Sequence, residues 1–145
     1  MNEIIMPDKN KMRDGLYLGS KHDAYQIHKL EDLNITHVLT IMTDEQFNRF
    51  GMKDKYKDTK IVHKHIVAED SEGFDFETAL RESLEFVDQG MKTGNVFVHC
   101  IAGIIRSATV CIAYCMRRYK WTYQEAYKHV KYCRPFADPV GSFVM

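Results

Sequence analysis

Apolar positions along this chain follow two rhythms, and together they predict strands alternating with helices. Ile4-Ile5-Met6 and Gly15-Leu16-Tyr17-Leu18-Gly19 predict two short strands, with a charged turn over 8–14 between them. Between 23 and 33, Ala24, Ile27, Leu30 and Leu33 recur every three residues, which predicts a short amphipathic helix. Thr36-His37-Val38-Leu39-Thr40-Ile41 is β-branched and apolar enough for a buried strand. Positions 44–60 are polar and poorly periodic, giving a short helix and a surface loop, and Ile61-Val62-His63-Lys64-His65-Ile66 alternates well enough for another strand. Over 75–93, Phe76, Ala79, Leu80, Leu84 and Val87 share one face opposite a charged one, a helix stopped by Gly94. Asn95-Val96-Phe97-Val98 is a central, fully buried strand, and helices over 105–119 and 122–133 follow, the second ending before Arg134-Pro135. Asp138-Pro139 opens a last helix that reaches Met145 after only two turns, as expected of a helix cut short. The order of elements predicts an α/β fold in one domain over 1–145. Its core is a central, mostly parallel but mixed sheet of about five strands, flanked by helices.

Charge narrows the classes of function. Lys plus Arg and Asp plus Glu are 20 each, so no basic surplus points to nucleic acid. No polybasic run suits an anionic membrane, and no apolar stretch is long enough to span one. With zero net charge, attraction for an anionic substrate must come from a local site. The N-terminal residues lack the basic start and long apolar run of a signal peptide. The cysteines at 100, 111, 115 and 133 form neither a disulfide framework nor a Cys-x-x-Cys metal pair. Free thiols without an export signal imply a reducing compartment, the cytosol or the nucleus.

The segment Val96-Phe97-Val98-His99-Cys100-Ile101-Ala102-Gly103-Ile104-Ile105-Arg106-Ser107 runs from a buried strand through a loop into a helix. At this edge of an open α/β sheet ligands bind. From Cys100 to Arg106 the backbone must curl so that successive N–H groups point inward as an anion nest over Ile101, Ala102, Gly103, Ile104 and Ile105. Gly103 gives the backbone freedom for the curl, and the positive end of the following helix reinforces the nest. Amide dipoles, helix terminus and Arg106 all favour the thiolate of Cys100, which can attack phosphorus and form a covalent thiophosphate. Arg106 can grip two phosphate oxygens at once, because its donors form a planar fork.

This segment resembles the protein tyrosine phosphatase superfamily signature His-Cys-x-x-Gly-x-x-Arg-Ser/Thr, filled here by His99, Cys100, Gly103, Arg106 and Ser107. Gly15-Leu16-Tyr17-Leu18-Gly19-Ser20, Ile35-Thr36-His37-Val38-Leu39 and Arg134-Pro135 also resemble its dual-specificity branch, so the likeness covers nearly the whole chain. The resemblance implies the sandwich fold of that superfamily and metal-free hydrolysis of phosphotyrosine and phosphoserine or phosphothreonine in proteins, without a cofactor. It implies that Ser107 donates a hydrogen bond to the sulfur, a role compatible with capping the helix. His99 would orient the loop as a buried partner, not as a base. It also implies a general acid on a loop about thirty residues before the cysteine. Asp70 stands there, and the rival Asp75 is better explained as the cap of the following helix. Two positions depart from the pattern. Ile105 stands where many members carry serine, and Val140 where an asparagine often ties the signature loop to its neighbour.

Other readings remain open. A lipid or RNA phosphate is a possible substrate, although the signature loop carries no positive charge among its variable positions. A phosphoprotein-binding module without turnover is a third reading, set against the presence of cysteine, arginine and candidate acid together. Cys111, Cys115 and Cys133 read as small buried hydrophobes, with a resolving thiol for oxidised Cys100 as the alternative. His63 and His65 read as surface histidines without a third metal ligand, and Trp121, Tyr123, Tyr127 and Tyr132 as packing aromatics. The expected partner is a phosphorylated protein, and the expected state a monomer.

Overall fold

The computed structural model describes residues 2–3, 15–69, 74–101 and 105–133. Its strands are β1 (Asn2–Glu3), β2 (Leu16–Gly19), β3 (Ile35–Met42), β4 (Val62–Val67) and β5 (Asn95–His99). Its helices are α1 (Lys21–Ala24), α2 (Ile27–Asp32), α3 (Asp44–Arg49), α4 (Glu77–Thr93), α5 (Ile105–Tyr119) and α6 (Tyr123–Cys133). The sheet order is β1-β2-β5-β3-β4. All pairs are parallel except β1 with β2. The sheet thus has five strands and is mixed, as expected: four run parallel, and β1 is a two-residue antiparallel fragment at the edge. Ile4-Ile5-Met6 and the expected helix at Asp138-Pro139 lie outside the described residues.

Alternation along the central strands sends side chains into two apolar layers. Val96 and Val98 of β5, with Leu16, Leu18, Leu39 and Ile41, pack under α4, α5 and α6. Phe97, Val38 and Met42 face the other way, onto Ala24, Leu30, Met52 and Tyr56. Every residue of β5 is buried, as expected of a parallel strand covered on both faces.

The helix expected over 23–33 is two helices. A three-residue spacing drifts about 60° per step from a straight helix, so four such positions would spread around half its circumference. The break at Tyr25-Gln26 re-aims the second half, leaving both Ala24 and Leu30 fully buried. Ser20 closes a capping box with Asp23 at the start of α1, and the Tyr25 hydroxyl donates to the Phe50 carbonyl at 2.8 Å. At the end of α4, Gly94 has an extended backbone (φ 179), not a left-handed one. It is needed for space, since a Cβ there would run into the Thr36 side chain.

Candidate active site

The C-terminal ends of β2, β5 and β3 come together in register, with Gly19 and Thr40 both opposite His99. Cys100 follows His99 directly and is 1% exposed, inside the apolar layer beneath the helices. Its Sγ lies 3.2 Å from Oγ of Ser107, a fully buried side chain in the first turn of α5. That hydroxyl is placed to donate to a thiolate sulfur, and the helix N-terminus adds partial positive charge at the same end.

Arg106 is only 2% exposed, and a guanidinium taken out of water needs oxygens around it. Its Nη1 donates to the Ala68 carbonyl at 2.6 Å and lies 3.5 Å from Oε1 of Gln46. Ala68 follows β4 and stands two residues before Asp70. Gln46 belongs to the capping box that opens α3 with Thr43. Nε of Arg106 is buried without an acceptor among the described residues. Among the described residues, the arginine therefore carries a charged N–H that no protein group satisfies.

His99 is fully buried, and its Nε2 meets the Thr40 hydroxyl at 2.7 Å. The same hydroxyl meets Nε2 of His63 on β4 at 2.8 Å. Burial pulls the His99 pKa down to about 3, against the opposing upward effect of the Cys100 backbone. His63 is held down to about 4 by burial and by neighbouring His65. Both rings are therefore neutral at physiological pH. The single proton of the Thr40 hydroxyl serves only one of them, so a ring that donates to Thr40 pairs with one that accepts. Phe97 stacks on His99 at 5.4 Å between centroids and 9° between planes. This packing suits an orienting residue and not a proton carrier.

The expected surface placement of His63 and His65 is corrected. Both are half-buried: Nε2 of His65 reaches the Met42 carbonyl at 2.9 Å, and its ring stacks on Phe47 at 3.9 Å. Their partners are aromatic rings, the Thr40 hydroxyl and a backbone carbonyl. Among the described residues, no group of three His, Cys, Asp or Glu is placed to hold a metal ion.

Of the sequence-predicted site residues, Cys100, Arg106, Ser107 and His99 are brought together at one end of β5. Ile101 is half-buried against the layer containing Phe97, and Ile105 begins α5. Asp70, Ala102, Gly103, Ile104 and Val140 lie outside the described residues. The rival Asp75 is exposed, and its Oδ1 accepts the Glu77 N–H at 3.0 Å, but the N-cap of α4 is Phe76, so Asp75 stands one residue ahead of the expected cap position. Cys111 and Cys115 are fully buried; burial pushes the Cys111 thiol well up and that of Cys115 to about 12. Tyr132 departs from the packing expectation, being 86% exposed. Thr40, Gln46 and Ala68 escaped the reading of the sequence. Thr40 alone left a signal there, as a polar residue inside the apolar run from Val38 to Ile41.

A cleft of about 430 Å³ lined by Asp88, Met91, Lys92, Tyr114 and Arg118 sits against the far half of α5 and is separate from this site. Among the described residues, no helix is long and apolar enough to cross a membrane.

A parallel sheet with a cysteine at the end of its middle strand and a buried arginine six residues on defines a class of phosphate-handling domain. The family model for the dual specificity phosphatase catalytic domain matches residues 16–145. A probable dual specificity protein phosphatase of Dictyostelium discoideum is 36% identical over 140 residues, covering 96% of this chain and 33% of that protein. Dual specificity protein phosphatase 1 of Arabidopsis thaliana is 33% identical over 134 residues, 92% of this chain and 64% of that protein. Among solved structures, the human tyrosine phosphatase-like serine/threonine/tyrosine-interacting protein superposes with a TM-score of 0.82 at 27% identity, covering 92% of this chain and 89% of that one. The chain belongs to the dual specificity phosphatase family. It spans between a third and two thirds of the length of these two curated relatives.

Proposed function

We propose that residues 1–145 act as one catalytic domain that hydrolyses phosphotyrosine and phosphoserine or phosphothreonine in proteins through a cysteinyl-phosphate intermediate. The observation that carries this reading is the buried Cys100–Ser107 contact of 3.2 Å beside Arg106, whose Nε has no acceptor among the described residues. The Cys100 thiolate attacks phosphorus in line with the ester oxygen. The S–P bond forms as the P–O bond breaks, and Asp70 gives its proton to the departing oxygen. Arg106 holds equatorial phosphate oxygens through both attacks, its N–H groups preset for the trigonal bipyramid. In the second half Asp70, now a base, takes a proton from water; the oxygen bonds to phosphorus and the sulfur leaves as thiolate. Ser107 donates to that departing sulfur, and His99, held by Thr40, keeps the loop backbone in register. The chemistry calls on no metal.

The test is phosphate release from an aryl phosphate in the presence of chelator, comparing wild type with Cys100→Ser. Release that disappears in the variant is expected. A folded wild-type protein without release would leave only phosphate binding.

A further inference from the structure

We propose that Lys21, Arg49 and Lys55, set around Tyr25 and Phe50, form a subsite for an acidic side chain near the phosphoresidue of a protein substrate; this rests on the phosphatase reading above. Lys21 Nζ stands 3.8 Å from the Phe50 ring centroid and 5.7 Å from that of Tyr25. The Arg49 guanidinium lies 4.9 Å over Phe50, and Lys55 Nζ 4.3 Å over Tyr25. Three cations are thus gathered on two rings, which hold them by their electron-rich faces without neutralising them. The Tyr25 hydroxyl bond to the Phe50 carbonyl fixes one ring against the other. Among the described residues neither Lys21 nor Lys55 meets a carboxylate. Arg49 has Glu45 at 3.3 Å, an exposed pair (58% and 68%) that water screens strongly.

The patch is continuous with the catalytic edge. Lys21 follows β2 by two residues, and Gly19 at the end of β2 is registered with His99. Gln46, which approaches Arg106, lies on α3, and Phe50 caps the same helix four residues on. Four helical residues rise about 6 Å. An extended peptide rises about 3.3 Å per residue, so two or three residues of substrate span a length like the Gln46–Phe50 step along α3. The chain has zero net charge, so its overall field does not draw acidic partners. This local surplus of cations favours Asp or Glu at that position.

The experiment compares two phosphopeptides, with Glu or with Ala at the second and third positions from the phosphoresidue. Binding to Cys100→Ser is read by fluorescence anisotropy, and turnover by the wild type is read separately. At low salt the Glu peptide should bind about five- to tenfold more tightly, as expected for two exposed charge pairs. The preference should shrink towards one when salt is raised to about 0.5 M. Adding Lys21→Glu and Lys55→Glu to the trap should invert it, so that a Lys-flanked peptide binds best, which a misfolded variant would not do. Equal affinities in the parent trap at low salt, or a Glu preference that survives the double reversal, would overturn the subsite. Acid-preferring binding without wild-type turnover would remove the phosphatase reading and leave the subsite standing.

Discussion

Lowering the pH from 7 to 5 should destabilise the fold through His99. The ring is fully buried, packed on Phe97, hydrogen-bonded to Thr40, and held neutral with a pKa near 3 against an ordinary 6.5. Because the folded pKa lies below the unfolded value, the unfolded chain binds more protons throughout this window. Stability is complete above about pH 6.5 and falls as the pH drops towards the folded pKa. Integrating one proton over that range gives a loss of about 2 kcal/mol between pH 7 and pH 5. His63, depressed to about 4, adds to the loss in the same direction, but by less for its burial because water reaches it. The assay is urea unfolding at half-unit pH steps. His99→Asn, which removes the titrating group, should flatten the curve by about the same 2 kcal/mol even if it lowers stability at pH 7. A wild-type stability that stays level from pH 7 to 5, or an NMR titration of His99 near 6.5, would refute the account.

Three further outcomes are expected. If the proposed cysteinyl-phosphate forms, Ser107→Ala should slow its breakdown by about 10- to 100-fold, as loss of a hydrogen bond to a charged sulfur predicts, and rapid-quench kinetics should show a burst followed by the slowed phase. Arg106→Lys should lower kcat/KM for an aryl phosphate by about 10²- to 10³-fold, since a point charge cannot replace the planar fork. Thr40→Val should cost about 1–3 kcal/mol in urea unfolding by leaving buried His99 Nε2 unpaired, with Thr40→Ser restoring most of it.

Much of this architecture was legible from residue order. The apolar face of Phe76, Ala79, Leu80 and Val87 located α4, and the unbroken run at Val96-Phe97-Val98 located the central strand. Cys100, Arg106 and Ser107 are close in sequence, so a local motif sufficed to find them. What escaped was long-range or stereochemical. No local pattern announces that Thr40 will bridge two imidazoles, or that Ala68 will offer its carbonyl to Arg106, because any residue supplies a carbonyl. The spacing over 23–33 mimics one helix because three-residue recurrence conceals a drift of about 60° per step around the helix. His63 and His65 alternate on their strand as solvent-facing residues would, yet the rings of Phe47 and Tyr56 cover them, from a polar, poorly periodic stretch that predicts only a short helix and a surface loop.

The contacts that brace Arg106 and His99 bear on when this site is assembled as the chain folds. Thr40–His99 joins residues 59 apart in sequence, Gln46–Arg106 residues 60 apart, and Ala68–Arg106 residues 38 apart. Each closes a long loop whose entropy is lost before the contact repays it. A chain with α4 and α5 formed but β3 and β4 undocked would hold the whole signature segment and none of these braces. Recovery of Cys100 reactivity after dilution from denaturant should therefore follow the slowest docking of β3 and β4 onto β5, lagging the return of helical signal. Newly made chains would then remain catalytically silent until their sheet is complete.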